Sequence, residues 1–381
     1  KTRQDLLESP EQEELATEDE QTSATPTAEQ PAPPDTREEI NDILKHLRDP
    51  LEDREHARLL ARLLELAPEY IRQTGAPGVM RILPMLLQHY RDDLRNASQQ
   101  QAANRTLDQL LDEKLVYHLV NALSDKKLSQ PLIKQMAKLL VTLEMRVAPY
   151  LLKRLTAEKN AQVRRHLTLI LGQMGEPILN ILKKSLTDKR WFVVRNTVSV
   201  LGDMRQKDAI PLLKPMLKHP DQRVKRALIR ALTMIGGSEA VPLLLRIVSD
   251  KDISLRRPAI LALGALKREE AISPLLKIVA RSDIFGRETD IKLDAIRALS
   301  MIGSSIAVPP LLNLAKRKNL CRRNRLEVQR VAALSALGQL GDIGITSTLQ
   351  GLRSGRQGDV SRAADQALTQ IQRRHNVPKS T

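Results

Sequence analysis

The densest group of potential binding residues in the sequence is the segment KRKNLCRRNR at residues 316–325, which holds six cations and the chain's one cysteine. Arginine and lysine bind anions, because their N–H groups make charge-assisted hydrogen bonds to phosphate and carboxylate oxygens. The segment therefore predicts contacts to a partner's phosphates or carboxylates from Lys316, Arg317, Lys318, Arg322, Arg323 and Arg325. The alternative is a solvated basic loop without a partner, since exposed charges contribute little by themselves.

Catalytic and metal-binding patterns are scarce. The cationic neighbours of Cys321 favour a thiolate with a redox or nucleophilic role, but an incidental cysteine is the other interpretation, because no histidine partner or resolving cysteine can be placed. The seven histidines include no close pair with metal-ligand spacing. Phosphate-loop, serine-hydrolase and metalloprotease motifs are absent from the sequence. The sequence thus predicts no catalytic residue, no metal and no cofactor.

Composition favours an extended array over several compact domains. Aromatic residues make up only 2% of the chain, so the core must consist of many similar aliphatic layers. No apolar run reaches the roughly 18 residues that cross a bilayer, and a single cysteine suits a reducing cytoplasm. Residues 1–39 carry twelve acids against three cations, a net charge of −9, which leaves +25 on the rest of a chain whose total is +16. A body this basic is expected to attract polyanions or an acidic protein surface.

The sequence divides into four parts. Residues 1–37 are rich in Pro, Thr, Gln and Glu and are predicted to be an acidic disordered linker or tail, because they cannot bury enough apolar surface to order themselves. Residues 38–126 are predicted to be a helical N-terminal cap with atypical repeats, residues 127–374 the regular repeat array, and residues 375–381 a short C-terminal tail. The first residue, Lys1, suggests a piece of a longer protein.

The array repeats a two-helix unit. Its anchor leucines are Leu140, Leu171, Leu201, Leu232, Leu263, Leu299, Leu337 and Leu368. Asn160, Asp221 and Asp252 precede anchor-bearing helices as N-caps. Glycines four residues past an anchor predict the turn into a second, proline-started helix. We call the anchor-bearing helix the first helix. The anchors are 31, 30, 31, 31, 36, 38 and 31 residues apart, so the two long intervals mark insertions around 281–290 and 316–325.

The first helices carry a ladder of cations six residues before the anchors. Its members are Lys134, Arg165, Arg195, Arg226, Arg257 and Arg362. One interpretation is a row of phosphate or carboxylate contacts. The other is structural pairing of each arginine with an acid or carbonyl of the neighbouring repeat, which suits a planar guanidinium with five donors.

The recurring anchor, glycine and proline elements, as in VKRALIRALTMIG followed by EAVPLLLRIV, resemble the HEAT family and its bacterial bilin-lyase-like branch over about residues 130–374. The resemblance implies an all-α protein, a right-handed α-α superhelical solenoid. It also implies that the second helices line the concave face.

Cations near the C-terminal ends of the second helices are predicted to form a basic groove on that face. They are Lys183, Lys184, Lys214, Lys218, Arg246 and Lys277. Helix dipoles favour cations at that end too, which explains part of the series without any partner.

These features favour a non-catalytic scaffold that binds an acidic protein partner through a basic concave face and the basic inter-repeat loop. The first alternative is sequence-independent binding of DNA or RNA phosphates. The third is an enzyme, a HEAT-like DNA glycosylase or a bilin lyase, which requires a carboxylate facing the centre of the groove. We expect a bacterial cytoplasmic protein without a membrane segment, and the sequence gives no reason to predict an oligomer. Trp191 is expected to pack at the start of a helix.

Overall fold

The structure, a computed structural model of the chain, describes residues 35–281, 288–317, 324–354 and 358–376. These residues form α-helices joined by short turns and 3-10 segments, and they contain no β-strand. No helix among them is long and apolar enough to cross a membrane. The fold is a right-handed α-α solenoid, as the sequence predicts.

The helices of the N-terminal part are α1 Thr36–His46, α2 Asp53–Thr74, α3 Ala76–Arg91, α4 Ala97–Leu110, α5 Glu113–Ala122, α6 Gln130–Leu143 and α7 Ala148–Ala157. Those of the remaining array are α8 Ala161–Met174, α9 Leu179–Ser185, α10 Trp191–Met204, α11 Ile210–Leu213, α12 Gln222–Ile235, α13 Ala240–Val248, α14 Ile253–Leu266, α15 Ile272–Ala280, α16 Thr289–Ile302, α17 Val308–Lys316, α18 Asn324–Leu340, α19 Thr346–Arg353 and α20 Asp359–Asn376. Short 3-10 segments precede or extend several second helices, at Glu144–Arg146, Glu176–Ile178, Lys207–Ala209, Lys214–Lys218, Glu269–Ala271, Ser305–Ala307 and Ile343–Ile345.

The anchor leucines form the centre of a continuous aliphatic core. Each is fully buried except Leu368, which is 3% exposed in the last helix. Local chemistry sets the helix ends as predicted. The side chains of Asn160, Asp221 and Asp252 accept hydrogen bonds from backbone N–H groups at the starts of α8, α12 and α14. The helix-ending glycines have positive φ, for example 73° at Gly236, which a residue with a Cβ rarely adopts.

The two helices of each unit lie in separate layers. First helices pack side by side along the array, whereas successive second helices touch each other much less. Small residues allow the first helices to approach closely. A Cβ added to Gly202 would lie 2.7 Å from Cα of Ala231, and a Cβ added to Gly264 would lie 2.7 Å from Cα of Ala298. That the second helices line the concave face, as the resemblance implied, stays a prediction.

The N-terminal helices hold a buried histidine pair. His56 Nε2 lies 3.2 Å from His89 Nδ1, and Arg95 Nη2 lies 3.3 Å from His89 Nε2. Both rings are at least 96% buried. Burial lowers the pKa of His89 to about 4, with further contributions from the positive charges of Arg95 and His56 and a small opposing one from Asp92.

This histidine pair predicts acid sensitivity. Because the pKa of His89 is lower in the folded than in the unfolded state, the unfolded chain binds more protons between about pH 6.5 and about pH 4. The stabilising effect is fully present above that window and is lost as the pH falls through it, by at most about 1.4 kcal/mol per pH unit. Urea titrations near pH 7.5 and pH 5 should show less pH dependence for His89→Gln than for the wild type. The exposed His375→Gln is the matched control, and an unchanged pH slope in His89→Gln would contradict the assignment.

Candidate functional site

The cations predicted on the second helices are exposed. Lys183 and Lys184 lie at the end of α9, Lys214 and Lys218 in the 3-10 segment after α11, Arg246 in α13 and Lys277 in α15. None of these six side chains has a hydrogen bond or ion pair to another described residue. They belong to the second-helix layer, and none of them lines the cleft between the first helices that is described below. Their role in partner binding stays a prediction.

The basic inter-repeat loop is described only at its edges. Lys316 ends α17, Arg317 follows it, and Arg325 lies in the first turn of α18. All three are exposed. The other predicted contacts, Lys318, Arg322 and Arg323, lie outside the described residues together with Cys321.

Two ladder arginines contact the next unit, as the structural interpretation of the ladder expects. Arg257 Nε donates to Asp294 Oδ2 at 2.5 Å, and Arg226 Nη2 donates to Ser254 Oγ at 3.2 Å. Only the first of these contacts neutralises a charge.

The other ladder positions behave differently. Arg362 pairs with Asp359 inside its own helix. Lys134 and Arg165 have no side-chain hydrogen bond or ion pair within the described part of the chain. The ladder is therefore not a uniform series of structural ion pairs.

Three neighbouring first helices, α8, α10 and α12, border a cleft of about 800 Å³. Seven arginines line it, and we call it the arginine cleft: Arg164, Arg165, Arg195, Arg205, Arg223, Arg226 and Arg230. Asp203 is the one carboxylate of the lining, beside Thr168, Leu169, Asn196, Ser199, Ala227 and Met234 among others. Arg165, Arg195 and Arg226 belong to the ladder, and the other four arginines do not.

Close helix packing brings these arginines together. A Cβ added to Gly172 of α8 would lie 2.8 Å from Cβ of Asp203, and one added to Gly202 of α10 would lie 2.8 Å from Cβ of Ala231 in α12. Long side chains on helices this close extend into one shared space.

Six of the seven arginines have no carboxylate within ion-pair distance among the described residues. The exception is Arg223, whose Nη2 lies 2.6 Å from Asp221 Oδ2. Arg164 Nη1 instead donates to the backbone oxygens of Glu158 and Lys159, at 3.0 and 2.6 Å. Of the others, Arg165, Arg205 and Arg230 have no side-chain hydrogen bond or ion pair to any described residue. The cleft is therefore a concentration of uncompensated positive charge.

Trp191 starts α10 and is half-buried, which agrees with its predicted packing at a helix start. Two arginines of the cleft lie over its ring. The guanidinium carbon of Arg223 is 3.3 Å from the ring centre, and that of Arg195 is 5.3 Å away. Cation–π contacts hold guanidinium groups in place, so the indole orients two cleft arginines and is covered by them.

The environment of the cleft shifts the pKa values of two side chains. Burial lowers the pKa of Arg195, and the positive charges of Arg164 and Arg223 lower it further. Burial also raises the pKa of Asp203, although Arg230, Thr168, Arg165 and Arg205 oppose that rise. In both side chains the loss of water around the charge outweighs the effect of the opposite charges nearby.

Sequence reasoning missed Arg164, Arg205, Arg223 and Arg230, together with Asp203. One signal was available: Arg223, Arg226 and Arg230 have the i, i+3, i+7 spacing that places side chains on one face of a helix. The ladder is defined by one equivalent position in each repeat unit. It therefore does not include arginines at the neighbouring positions.

Within the described residues, no group of three or more His, Cys, Asp or Glu side chains could hold a metal ion. The site offers guanidinium groups, hydroxyls and one carboxylate. Guanidinium groups of this kind favour an anionic ligand.

Comparison with protein-family models identifies the type of repeat. The HEAT repeats model matches residues 148–223 and 213–289, and the PBS lyase HEAT-like repeat model matches residues 291–317. A search of curated proteins finds no match.

Solved structures with similar folds share little sequence. An engineered protein is 18% identical, with 88% of this chain and 99% of that chain covered and a TM-score of 0.34. Human deoxyhypusine hydroxylase is 17% identical, with 68% and 97% covered and a TM-score of 0.30. The CpcE–CpcF complex of phycocyanin lyase from Nostoc sp. PCC7120 is 17% identical, with 67% and 94% covered and a TM-score of 0.29. None is similar enough to bear on function, whereas the family models agree with the repeats and helices described above. Over residues 148–289 and 291–317 the chain therefore carries HEAT-type repeats, as the sequence predicts.

Proposed function

We propose that this protein is a non-catalytic helical-repeat scaffold that binds an acidic segment of a partner protein in the arginine cleft. The observation that carries the proposal is the set of six cleft arginines without a carboxylate partner among the described residues. The exposed second-helix cations and the basic loop would then add further contacts and attract the partner over longer distances.

The arginine cleft itself lowers the stability of the folded chain. Like charges held close together and partly out of water destabilise the folded chain unless an anion compensates them. An acidic segment supplies that anion, and Arg–carboxylate pairs make two parallel hydrogen bonds when the geometry permits. Binding therefore relieves repulsion as well as adding contacts.

The remaining lining favours a protein segment over nucleic acid. Leu169 is 39% exposed, and Ala227 and Met234 lie nearby, so apolar side chains of a peptide would find partners. The aromatic ring that could stack on a base, Trp191, is already covered by Arg223. The row of uncompensated ladder arginines also stops at α14, where Arg257 is paired with Asp294. A bounded site of three helices suits a short acidic segment.

Fluorescence anisotropy with the full chain tests the proposal. The probes are a labelled Glu- and Asp-rich peptide with interspersed leucines and a labelled DNA duplex, each across a salt series. The cleft variant combines Arg165→Gln, Arg195→Gln and Arg226→Gln. We expect it to weaken peptide binding by about 100-fold, since hydrogen bonds to charged groups contribute about 1.5–3 kcal/mol each and do not add fully.

The matched control combines Lys183→Gln, Lys214→Gln and Lys277→Gln, which removes the same charge from the second helices. A control that loses as much affinity as the cleft variant would mean that overall charge, not the cleft, binds the peptide. Tighter binding of the duplex than of the peptide would place nucleic acid first.

Asp203 separates a scaffold from an enzyme. In a scaffold its carboxylate repels an acidic ligand, so Asp203→Asn should tighten peptide binding. If Asp203→Asn left binding of the peptide unchanged or weaker, the carboxylate would have a different role, and the enzyme alternative would gain support.

A further inference from the structure

The guanidinium of Arg195 in the arginine cleft is held by several contacts. Its Nε and Nη2 both donate to Asn196 Oδ1, at 3.1 and 2.6 Å. Asn196 is 7% exposed, and its Nδ2 donates to the backbone oxygen of Leu155 at 3.2 Å. The guanidinium carbon of Arg195 also lies 5.3 Å from the ring centre of Trp191. The guanidinium is therefore held in place before any ligand arrives.

Two more guanidinium groups that line the same cleft are held from other directions. Arg164 of α8 is fixed by the backbone oxygens of Glu158 and Lys159. Arg223 of α12 is fixed by Asp221, whose Oδ1 and Oδ2 accept from Nε and Nη2 at 3.1 and 2.6 Å. Three helices thus contribute one positioned guanidinium each.

These groups keep donors free for a ligand. A guanidinium has five N–H donors, and the contacts of Arg195 to Asn196 occupy the Nε donor and one Nη2 donor. The nearby hydroxyls of Thr168 and Ser199 donate to the backbone oxygens of Arg165 and Arg195, and neither accepts a hydrogen bond from a described guanidinium of the cleft. The free donors belong to groups whose positive charges already repel each other.

We propose that Arg164, Arg195 and Arg223 form a seat for the phosphoryl group of a phosphorylated serine or threonine within the acidic partner segment. This inference rests on the proposed function and adds its recognition chemistry. A phosphoryl group carries close to two negative charges and three acceptor oxygens, so it compensates more charge and accepts from more guanidinium groups than one carboxylate. A phosphorylated side chain fits better than a nucleotide, because the indole beside the seat is covered and cannot stack on a base.

Competition binding tests the seat with short acidic peptides that are identical except for one central residue, which is phosphoserine, glutamate or serine. With the full wild-type chain, we expect the phosphoserine peptide to bind about tenfold more tightly than the glutamate peptide, and the serine peptide to bind most weakly. Arg195→Lys retains the charge but loses the planar donor pair, so it should reduce the phosphoserine preference to about twofold or less. Arg164→Lys is a second variant with the same expectation.

Arg226→Lys, in the cleft but outside the seat, is the control and should retain the preference. Circular dichroism and thermal unfolding check that each variant is folded. Equal binding of the phosphoserine and glutamate peptides to the wild type would overturn the seat and leave the proposed function standing, whereas no binding of any peptide would overturn the function itself. A single-stranded oligonucleotide that binds more tightly than the phosphoserine peptide, and loses affinity in Arg195→Lys, would assign the seat to nucleic acid instead. Equal competition by inorganic phosphate and the phosphoserine peptide would also overturn the proposal, because the segment would then contribute nothing.

Discussion

Replacing Gly202 by valine should destabilise the protein by about 3 kcal/mol, because overpacking a close helix contact forces backbone shifts. The added Cβ would lie 2.7 Å from Cα and 2.8 Å from Cβ of Ala231, a distance that real side chains do not tolerate. The contact partner is backbone, so no rotamer change can relieve the clash. Moving α10 away from α12 would also widen the arginine cleft. Denaturant titration of the free energy of unfolding is the measurement.

Gly351→Ala is the matched control for this prediction. Gly351 lies inside α19, and a Cβ added there meets nothing within 4 Å. The alanine should therefore stabilise the helix by about 0.5–1 kcal/mol through helix propensity. If Gly202→Val were as stable as the wild type, the close first-helix spacing would be wrong.

Leu232→Ala should cost about 3 kcal/mol, since it removes a fully buried anchor and leaves a cavity between units. Stability in a repeat array depends on the contacts between neighbours, and Leu232 lies in a central helix with units on both sides. The equivalent Leu368→Ala, in the last helix, interrupts contacts on one side only.

Hydrogen exchange distinguishes the two leucine variants. Leu368→Ala should loosen α19 and α20 and leave the centre protected, whereas Leu232→Ala should increase exchange on both sides of α12. Identical exchange patterns would indicate that the chain unfolds as one unit without nearest-neighbour behaviour.

Much of the fold could be predicted from the sequence because its determinants are local. Leucine anchors at near-constant spacing specify the layers, and caps such as Asp221 and turns such as Gly236 act within a few residues of their own helix. These elements could be identified without knowing what packs against them.

The candidate site could be predicted only in part, because it depends on contacts between units. Arg226 and Arg257 occupy equivalent sequence positions, yet only Arg257 faces a carboxylate, since Asp294 has no counterpart opposite Arg226. The close spacing of the first helices could not be predicted either, because it follows from the approach of Gly202 to Ala231. Arg257 and Asp294 are more than thirty positions apart in the sequence, and Gly202 and Ala231 are close to thirty apart. Both pairs are neighbours only in three dimensions.

The position of Trp191 has a practical consequence. It is the chain's one tryptophan, and its ring is in contact with two arginines of the cleft. Indole emission excited selectively over tyrosine therefore comes from this location alone. A ligand that draws Arg223 away from the ring would change the intensity or wavelength of that emission without any attached dye. The unmodified protein thus carries its own optical probe of cleft occupancy, which can be used to titrate purified ligands that contain no tryptophan.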